Sequence, residues 1–336
     1  MTVTIVKNTI AELIMKNRKN KESFISKVMN GIVTLALAGV MLFGLQCYSA
    51  SSLKFVQLSD VHYSTSGQNT TFKMTGESGK LLEDAVAQVN EMTGVNFVMF
   101  TGDQINVPYE KELQAFLPYA EKLNVPWYIT FGNHDRCVGG FLTKELYLDI
   151  VGSHNENFKF TTPYYSFVPQ KGFKVIVLDT IPADTLTSNG RISDEQLIWL
   201  NNELESAQKD TVLIFMHVPV IEPFPSSGHK LLNAGEVQAI IEKYKNPIGV
   251  FQGHYHASKI TRHGNVLYVS SPALVSYPNA FRVVTVSNQW RKVVFDIKTV
   301  ETRETGIQKL AKLLVFGSNI YAGTAQDQNG IYEIKK

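Results

Sequence analysis

Two cysteines in 336 residues, Cys47 and Cys137, exclude a disulfide framework and a thiolate zinc ribbon. A charge excess is missing too. Lys and Arg number 32 against 30 Asp and Glu, a formal net charge of +2, so bulk charge gives no case for a nucleic-acid partner or for binding to a membrane surface. No internal repeat or low-complexity tract stands out. With 44% hydrophobic and 11% aromatic residues, the chain is neither disordered nor collagen-like. The length allows one large domain or two smaller ones with an ample core. What the sequence does have is eight histidines, and their placement is the informative feature.

The first fifty residues read as something other than fold. Lys7, Lys16, Arg18, Lys19, Lys21 and Lys27 stand against only Glu12 and Glu22, and no charge follows from Val28 to Leu53. Ile32–Leu45 is almost purely apolar and gives way to the small residues Ser49, Ala50, Ser51 and Ser52. Basic, apolar, then small is the order of a secretory signal peptide. The basic part is long for one, and a start at Met15 would shorten it. A retained membrane anchor competes with the cleaved leader, since about 20 apolar residues span a bilayer. A lipoprotein role for Cys47 is disfavoured by Gln46, which stands where a small residue is wanted. A buried core helix fits poorly, because Gly31, Gly39 and Gly44 weaken it and it has no polar face. The expectation is therefore an exported protein, periplasmic or extracellular, touching a membrane only through an uncleaved residue 1–50 segment. Without that segment 26 basic groups face 28 acidic ones.

From Leu53 onward short apolar runs alternate with helix-period segments. Leu53–Leu58, Asn96–Phe100, Trp127–Phe131, Lys174–Leu178, Val212–Met216 and Ile248–Phe251 read as strands buried on both faces. Leu82, Ala85, Val86, Val89 and Met92 recur at helical spacing, and Glu112–Leu123 and Val237–Tyr244 are amphipathic. Ser193 with Gln196 resembles a capping box. Tyr164–Val168 with Phe173–Leu178, and Lys259–Arg262 with Val266–Val269, look like hairpins. The pattern predicts an α/β fold, a four-layer sandwich of mixed β-sheets flanked by helices. Residues 51–300 form the domain, and residues 301–336 extend it with a helix and a small β-hairpin.

Five of the strands end in polar clusters. These are Ser59-Asp60-Val61-His62, Thr101-Gly102-Asp103, Gly132-Asn133-His134-Asp135, His217, and Gln252-Gly253-His254-Tyr255-His256. In open α/β sheets ligands bind beyond the carboxyl ends of the strands, so these clusters are expected to converge. Asp60, His62, Asp103, Asn133, His217, His254 and His256 offer imidazole nitrogens and hard oxygens but no thiolate. That mixture suits Fe, Mn or Zn better than an all-oxygen Ca or Mg cage. Seven ligands are too many for one ion with an open position and about right for two divalent or trivalent ions sharing a carboxylate. Two divalent ions against two carboxylates leave a positive site that attracts a small-molecule phosphate ester.

The ordered set D-x-H, G-D, G-N-H-D, a lone His after an apolar strand, and G-H-x-H resembles the calcineurin-like metallophosphoesterases. The blocks span Asp60 to His256. The resemblance implies that Asp60, His62 and His256 hold one metal, that Asn133, His217 and His254 hold the other, and that Asp103 bridges. It implies that His134 is the catalytic histidine, oriented by Asp135, and that metal-activated hydroxide is the nucleophile. Asp60-Val61-His62 looks like the bacterial class III cyclic-nucleotide and glycerophosphodiester phosphodiesterase branch, so a phosphodiesterase is favoured over a phosphomonoesterase. Purple acid phosphatases place a Tyr ligand where this chain has Asn106, and Tyr109 lies three residues too far on.

Arg136 could clamp a phosphate or pair structurally. His229 lies in the Pro-, Gly- and Ser-rich loop Pro219–Leu232, which could line the substrate entrance. His154 and His263 are expected at the surface without chemistry, and Cys137 as a packed thiol. The opposing reading is an exported binding or surface protein that keeps the fold without turnover; an intact ligand set argues against it.

Overall fold

A computed structural model describes residues 2–46, 51–136, 140–182 and 185–336. Cys47, Ser49 and Ala50, on which the leader readings bear, and Cys137 lie outside the described residues. Residues 1–50 and 51–336 are separate compact units. The first holds one helix, α1 (Thr2–Gln46). Among the described residues no helix is long and apolar enough to cross a membrane.

The second unit begins with β1 (Ser51–Leu58), α2 (Ser78–Glu91), β2 (Phe97–Thr101), α3 (Glu110–Ala120), β3 (Trp127–Thr130) and the single turn α4 (Asn133–Arg136). It continues with α5 (Lys144–His154), β4 (Tyr165–Gln170), β5 (Phe173–Val177), α6 (Asp194–Ser206), β6 (Thr211–Phe215), α7 (Ala234–Glu242) and β7 (Ile248–Gln252). Next come β8 (Lys259–His263), β9 (Val266–Ser270), β10 (Ala280–Asn288) and β11 (Lys292–Glu301). The chain closes with α8 (Thr305–Leu314), α9 (Ser318–Ala322), α10 (Ala325–Gln328) and β12 (Gly330–Lys335).

The strands make two six-stranded mixed sheets, ordered β12-β11-β10-β1-β2-β3 and β4-β5-β6-β7-β9-β8. Strands β1, β2 and β3 run parallel, as do β5, β6, β7 and β9. Every residue of β2, β6, β7 and β9 is buried, which is why these segments read as unbroken apolar runs rather than alternating ones. Phenylalanines join the sheets face to face. Phe55 of β1 lies 5.2 Å from Phe215 and 4.9 Å from Phe251, ring centroid to centroid and edge-on, and 5.4 Å from Phe97 in a stack. Each buried Phe contributes about 1.5–3 kcal/mol by leaving water, and the ring pairs add about 0.5–1.5 kcal/mol. Helices cover the outer faces and complete four layers; α2 buries Leu82, Ala85, Val86 and Val89, and α6 buries Leu197, Leu200 and Leu204.

Two expectations need correction. Ser193 does cap α6, accepting from the Gln196 N–H at 3.2 Å. The Gln196 amide does not return to Ser193; it bonds the Asp179 backbone on both its N–H and C=O, each at 2.9 Å. The reciprocal capping box forms instead at Thr324 and Asp327. The C-terminal tail makes no hairpin. Ser318–Ala322 is helical, bracketed by Gly317 and Gly323 at φ 76° and 71°, and β12 pairs antiparallel with β11. An isolated two-stranded hairpin is marginal in water, whereas the open edge of β11 offers a ladder on an existing sheet. The buried Arg282 guanidinium fastens this tail, donating to the carbonyls of Ser270, Asp327 and Gln328 and to Thr299 Oγ1.

Candidate metal centre

Parallel pairing sets the carboxyl ends of β1, β2 and β3 in one row and those of β6 and β7 in another, and the packed sheets bring the two rows together. His62 Nε2 lies 3.3 Å from His256 Nε2 and 3.3 Å from Asp103 Oδ2, and His256 Nε2 lies 3.3 Å from Asp60 Oδ1. On the other side of Asp103, His217 Nε2 lies 3.5 Å from Oδ2 and 3.1 Å from His254 Nδ1. Asp60, His62, Asp103 and His256 thus form one group able to surround an ion, and Asp103, His217 and His254 form a second. All six are buried. Asp103 belongs to both.

The backbone is bent to achieve this. Asp60, His62, Asp103, His254 and His256 all have positive φ, between 44° and 72°, and among the described non-glycine residues only Asn279 joins them. A left-handed L-residue costs about 1–2 kcal/mol, and such conformations persist where surrounding contacts over-determine them. Those contacts are present. His62 N–H donates to the Asp103 carbonyl at 2.8 Å, Asp60 N–H to the Gly102 carbonyl at 3.1 Å, and His254 N–H to the Asp60 carboxylate at 3.1 Å. The glycines ahead of the polar residues make room. A methyl group on Gly102 would overlap the His217 ring, and one on Gly132 would overlap the Asp103 carboxylate.

Asn133 follows Gly132, and His134 N–H donates to Asp103 Oδ1 at 2.8 Å. Asn133 Oδ1 is buried without a hydrogen-bond partner. A buried carbonyl oxygen left unpaired costs roughly 1–3 kcal/mol, so this atom calls for a cation or donor. Together with the imidazoles and two carboxylates of the two groups, the donor set fits two borderline divalent ions. Hydrogen bonds on the far side fix the rings: His217 Nδ1 to the Thr101 carbonyl at 2.9 Å, and His256 Nδ1 to Ser276 Oγ at 2.8 Å. Each leaves Nε2 facing inward, the usual support for a metal-binding histidine.

Burial alone drives ionisable groups toward their neutral forms. It does so at His62 and His254, both held well below the ordinary imidazole range by burial first, then by the charge of Lys73 and of His217 respectively. Asp103 behaves oppositely: burial would raise it, but the charge of its imidazole neighbours, His217 foremost, holds its carboxyl well below the usual range. At His217 burial is likewise outweighed, and the Asp103 charge and hydrogen bond push it up to about 9. Anionic carboxylates and neutral imidazoles are the ligating forms.

His134 sits at the rim of this centre, its ring 4.5 Å from that of His62. Its Nδ1 is 2.7 Å from the Asn106 carbonyl, which assigns the proton to Nδ1 and turns Nε2 inward. Asp135 therefore does not orient this ring. Its carboxylate accepts from the backbone N–H groups of Asp103 and Gly132 at 2.8 Å and of Ile105 at 3.1 Å, because the tight turn after β3 points the side chain back under the Asp103 loop. Asp135 supports the Asp103 loop.

His229 is exposed with its ring 5.1 Å from that of His254. Phe224 of the same loop meets Tyr255 at 5.2 Å and Tyr321 of α9 at 5.9 Å. Arg136 ends α4. The Glu145 carboxyl on α5 is held low first by its own N–H and the Thr143 hydroxyl, with the charges of Lys144 and Arg136 adding to it. His154 and His263 pair with Glu121 and Glu242 at the surface, away from both groups.

Lys73 had no sequence motif to mark it. Its Nζ lies 3.2 Å from His134 Nε2 and 3.3 Å from His62 Nδ1. Ser59 was also overlooked, though its hydroxyl donates to Asp60 Oδ2 at 2.5 Å. A long irregular stretch, Ser64–Met74, with Lys73 as its single charge, was the available signal for the lysine.

Residues 53–258 match the model of the calcineurin-like phosphoesterases. A probable glycerophosphodiester phosphodiesterase of Arcobacter nitrofigilis is 22% identical over 64% of this chain and 76% of its own length. A 3',5'-cyclic adenosine monophosphate phosphodiesterase of Vibrio vulnificus is 24% identical over 78% of this chain and 92% of its own. The crystal structure of a dimetal phosphatase from Danio rerio superposes with a TM-score of 0.56, at 19% identity, over 74% of this chain and 99% of that one, a likeness of fold. With the family model spanning more than half of the sequence and both ligand groups assembled, the chain belongs to the calcineurin-like phosphoesterase family.

Proposed function

We propose that this protein is a phosphodiesterase that works with two metal ions, Mn, Fe or Zn, on a small-molecule phosphate diester. The observation that carries the reading is the pair of ligand groups joined through Asp103. Asp60, His62 and His256 would hold one ion; Asn133, His217 and His254 would hold the other. Bound there, the ions would supply Lewis acidity toward a phosphoryl group and lower the pKa of water. The chain's own residues do the rest. His134, held by the Asn106 carbonyl, keeps Nε2 at the rim, where, once protonated, it can hand that proton to a departing ester oxygen. Phe224, Tyr255 and Tyr321 give the rim an apolar wall suited to a second ester arm. The activities for which the Arcobacter and Vibrio relatives are named support a diester over a monoester.

The test is turnover of a bis-aryl and a mono-aryl phosphate by the full chain loaded in turn with Mn, Zn and Fe. The diester is expected to give the higher kcat/KM. Absence of turnover with every ion would overturn the hydrolase reading, and a monoester preference would reverse the substrate reading. We further propose export directed by residues 1–50, on the strength of their basic-then-apolar order. Full-length protein is expected outside the cytoplasm or with the membrane fraction, and a chain begun at Ser51 inside; equal cytoplasmic retention of both would refute it.

A further inference from the structure

The loop between β1 and α2 has no regular structure from Ser64 to Met74, yet it is tied down along its length. Thr65 bonds the buried Glu112 carboxylate through its N–H and its hydroxyl, at 2.7 and 2.6 Å. Thr70 Oγ1 accepts from the Phe72 and Lys73 N–H groups at 3.1 and 2.8 Å, and the Thr70 N–H returns to the Lys73 carbonyl at 2.8 Å. The Met74 side chain is fully buried, and its N–H reaches the Val275 carbonyl at 2.8 Å. Phe72 stacks on the His256 ring at 4.9 Å and meets Tyr321 at 5.1 Å. Phe72 and Met74 thus fix the stretch of backbone from which Lys73 projects.

This lysine faces two nitrogen rings, with the Asp103 and Asp60 carboxylates acting on it only from beyond ion-pair distance. Among the described residues no carboxylate forms an ion pair with it, and its hydrogen-bonding neighbours are His134 Nε2 and His62 Nδ1. The His134 Nδ1 proton goes to the Asn106 carbonyl, so Nε2 can accept one Lys73 proton. His62 turns Nε2 toward the ligand group; when that nitrogen ligates, Nδ1 carries the proton and cannot accept from an ammonium. An N–H and an N–H₃⁺ then face each other 3.3 Å apart with nothing between them to receive either. Two metal ions nearby would add to the repulsion. With the charge of Asp60 and Asp103 taken up by bound ions, an ammonium braced here is left to pair with an incoming anion.

We propose that Lys73 is a substrate-binding catalytic residue, its ammonium holding a phosphoryl oxygen beside His134. The proposal rests on the metal-dependent hydrolysis put forward above. A diester gains negative charge on its non-bridging oxygens as the reaction proceeds, and a fixed ammonium gives more to that state than to the ground state.

The experiment compares full-length wild type with K73M, which keeps the stem, and K73R, which keeps the charge, all loaded with Mn. Metal content is read by elemental analysis, inorganic phosphate binding by calorimetric titration, and diester turnover by kcat/KM. All three proteins are expected to carry the same metal. K73M should bind phosphate at least ~10-fold more weakly and lose about 10²-fold in kcat/KM, the scale of one oxyanion donor, and K73R should recover part of both. Wild-type phosphate affinity and turnover in K73M overturn the proposal. Loss of metal from K73M also overturns it, because Lys73 would then serve the ligands. If wild type hydrolyses no ester with any ion yet binds phosphate through Lys73, the hydrolase reading fails and the anion contact stands.

Discussion

The two ligand groups share Asp103 and differ in nearly everything else. Around His62 the ligands bring two carboxylates and two imidazoles, all four on left-handed backbone. Around His217 they bring the shared carboxylate and two imidazoles, with the neutral Asn133 amide proposed beside them, and His217 and Asn133 have ordinary backbone. The first group is the more anionic and the more heavily braced; the second is the more neutral and lies beside the exposed His229. Charge and preorganisation both favour tighter ion binding at the first group. The second ion is the one expected to exchange with its surroundings.

Asp103→Ala gives the largest effect, since it removes the shared carboxylate: both ions are lost and turnover falls to background. Elemental analysis checks this, and a variant retaining one full equivalent would show that the two groups do not depend on a bridge. His134→Ala comes next. Turnover falls by about 10²–10⁴-fold with metal content kept, the usual range for a proton-transferring group; metal loss would move His134 into the ligand set. Asn133→Ala separates the groups, raising the metal concentration for half-maximal activity by about 10–100-fold while one ion stays bound. Equal weakening of both ions would erase the asymmetry.

The remaining effect is a pH slope. In protein stripped of metal the His217 proton persists up to about pH 9, because Asp103 outweighs burial. An ion entering the second group must displace it, so apparent affinity rises as pH rises, by up to about tenfold per unit, and levels off above about pH 9. Neutral His62 has no such proton to lose, and the first ion should show a flatter slope near neutrality. Metal titrations between pH 6 and 9 read both slopes, and equal slopes would break the comparison.

The sequence made the ligands legible because strand ends are legible. Apolar runs such as Val212–Met216 stop at a polar residue, and parallel pairing carries each stop to one edge. The long-range partners were not legible. The Asn106 carbonyl on His134, the Ser276 hydroxyl on His256 and the Asp135 carboxylate under Asp103 depend on how loops far apart in sequence meet. The resemblance implied that Asp135 orients its neighbour His134, a contact that the turn at α4 forbids. Lys73 stayed hidden because an irregular loop carries no periodicity from which to aim a side chain. In the tail, Asp327-Gln328-Asn329-Gly330 looked like a hairpin turn, but the segment before it is helical and the edge of β11 captured the last strand.

The His254 N–H that reaches the Asp60 carboxylate joins residues 194 positions apart, and neither sheet alone holds either complete ligand group. Folding therefore has to bring the first and seventh strands together before an ion can be fully held, and pairings of such long range form slowly. Metal capture then belongs to the last stage of assembly. Its rate, followed during refolding, would time the moment at which the two sheets close on one another.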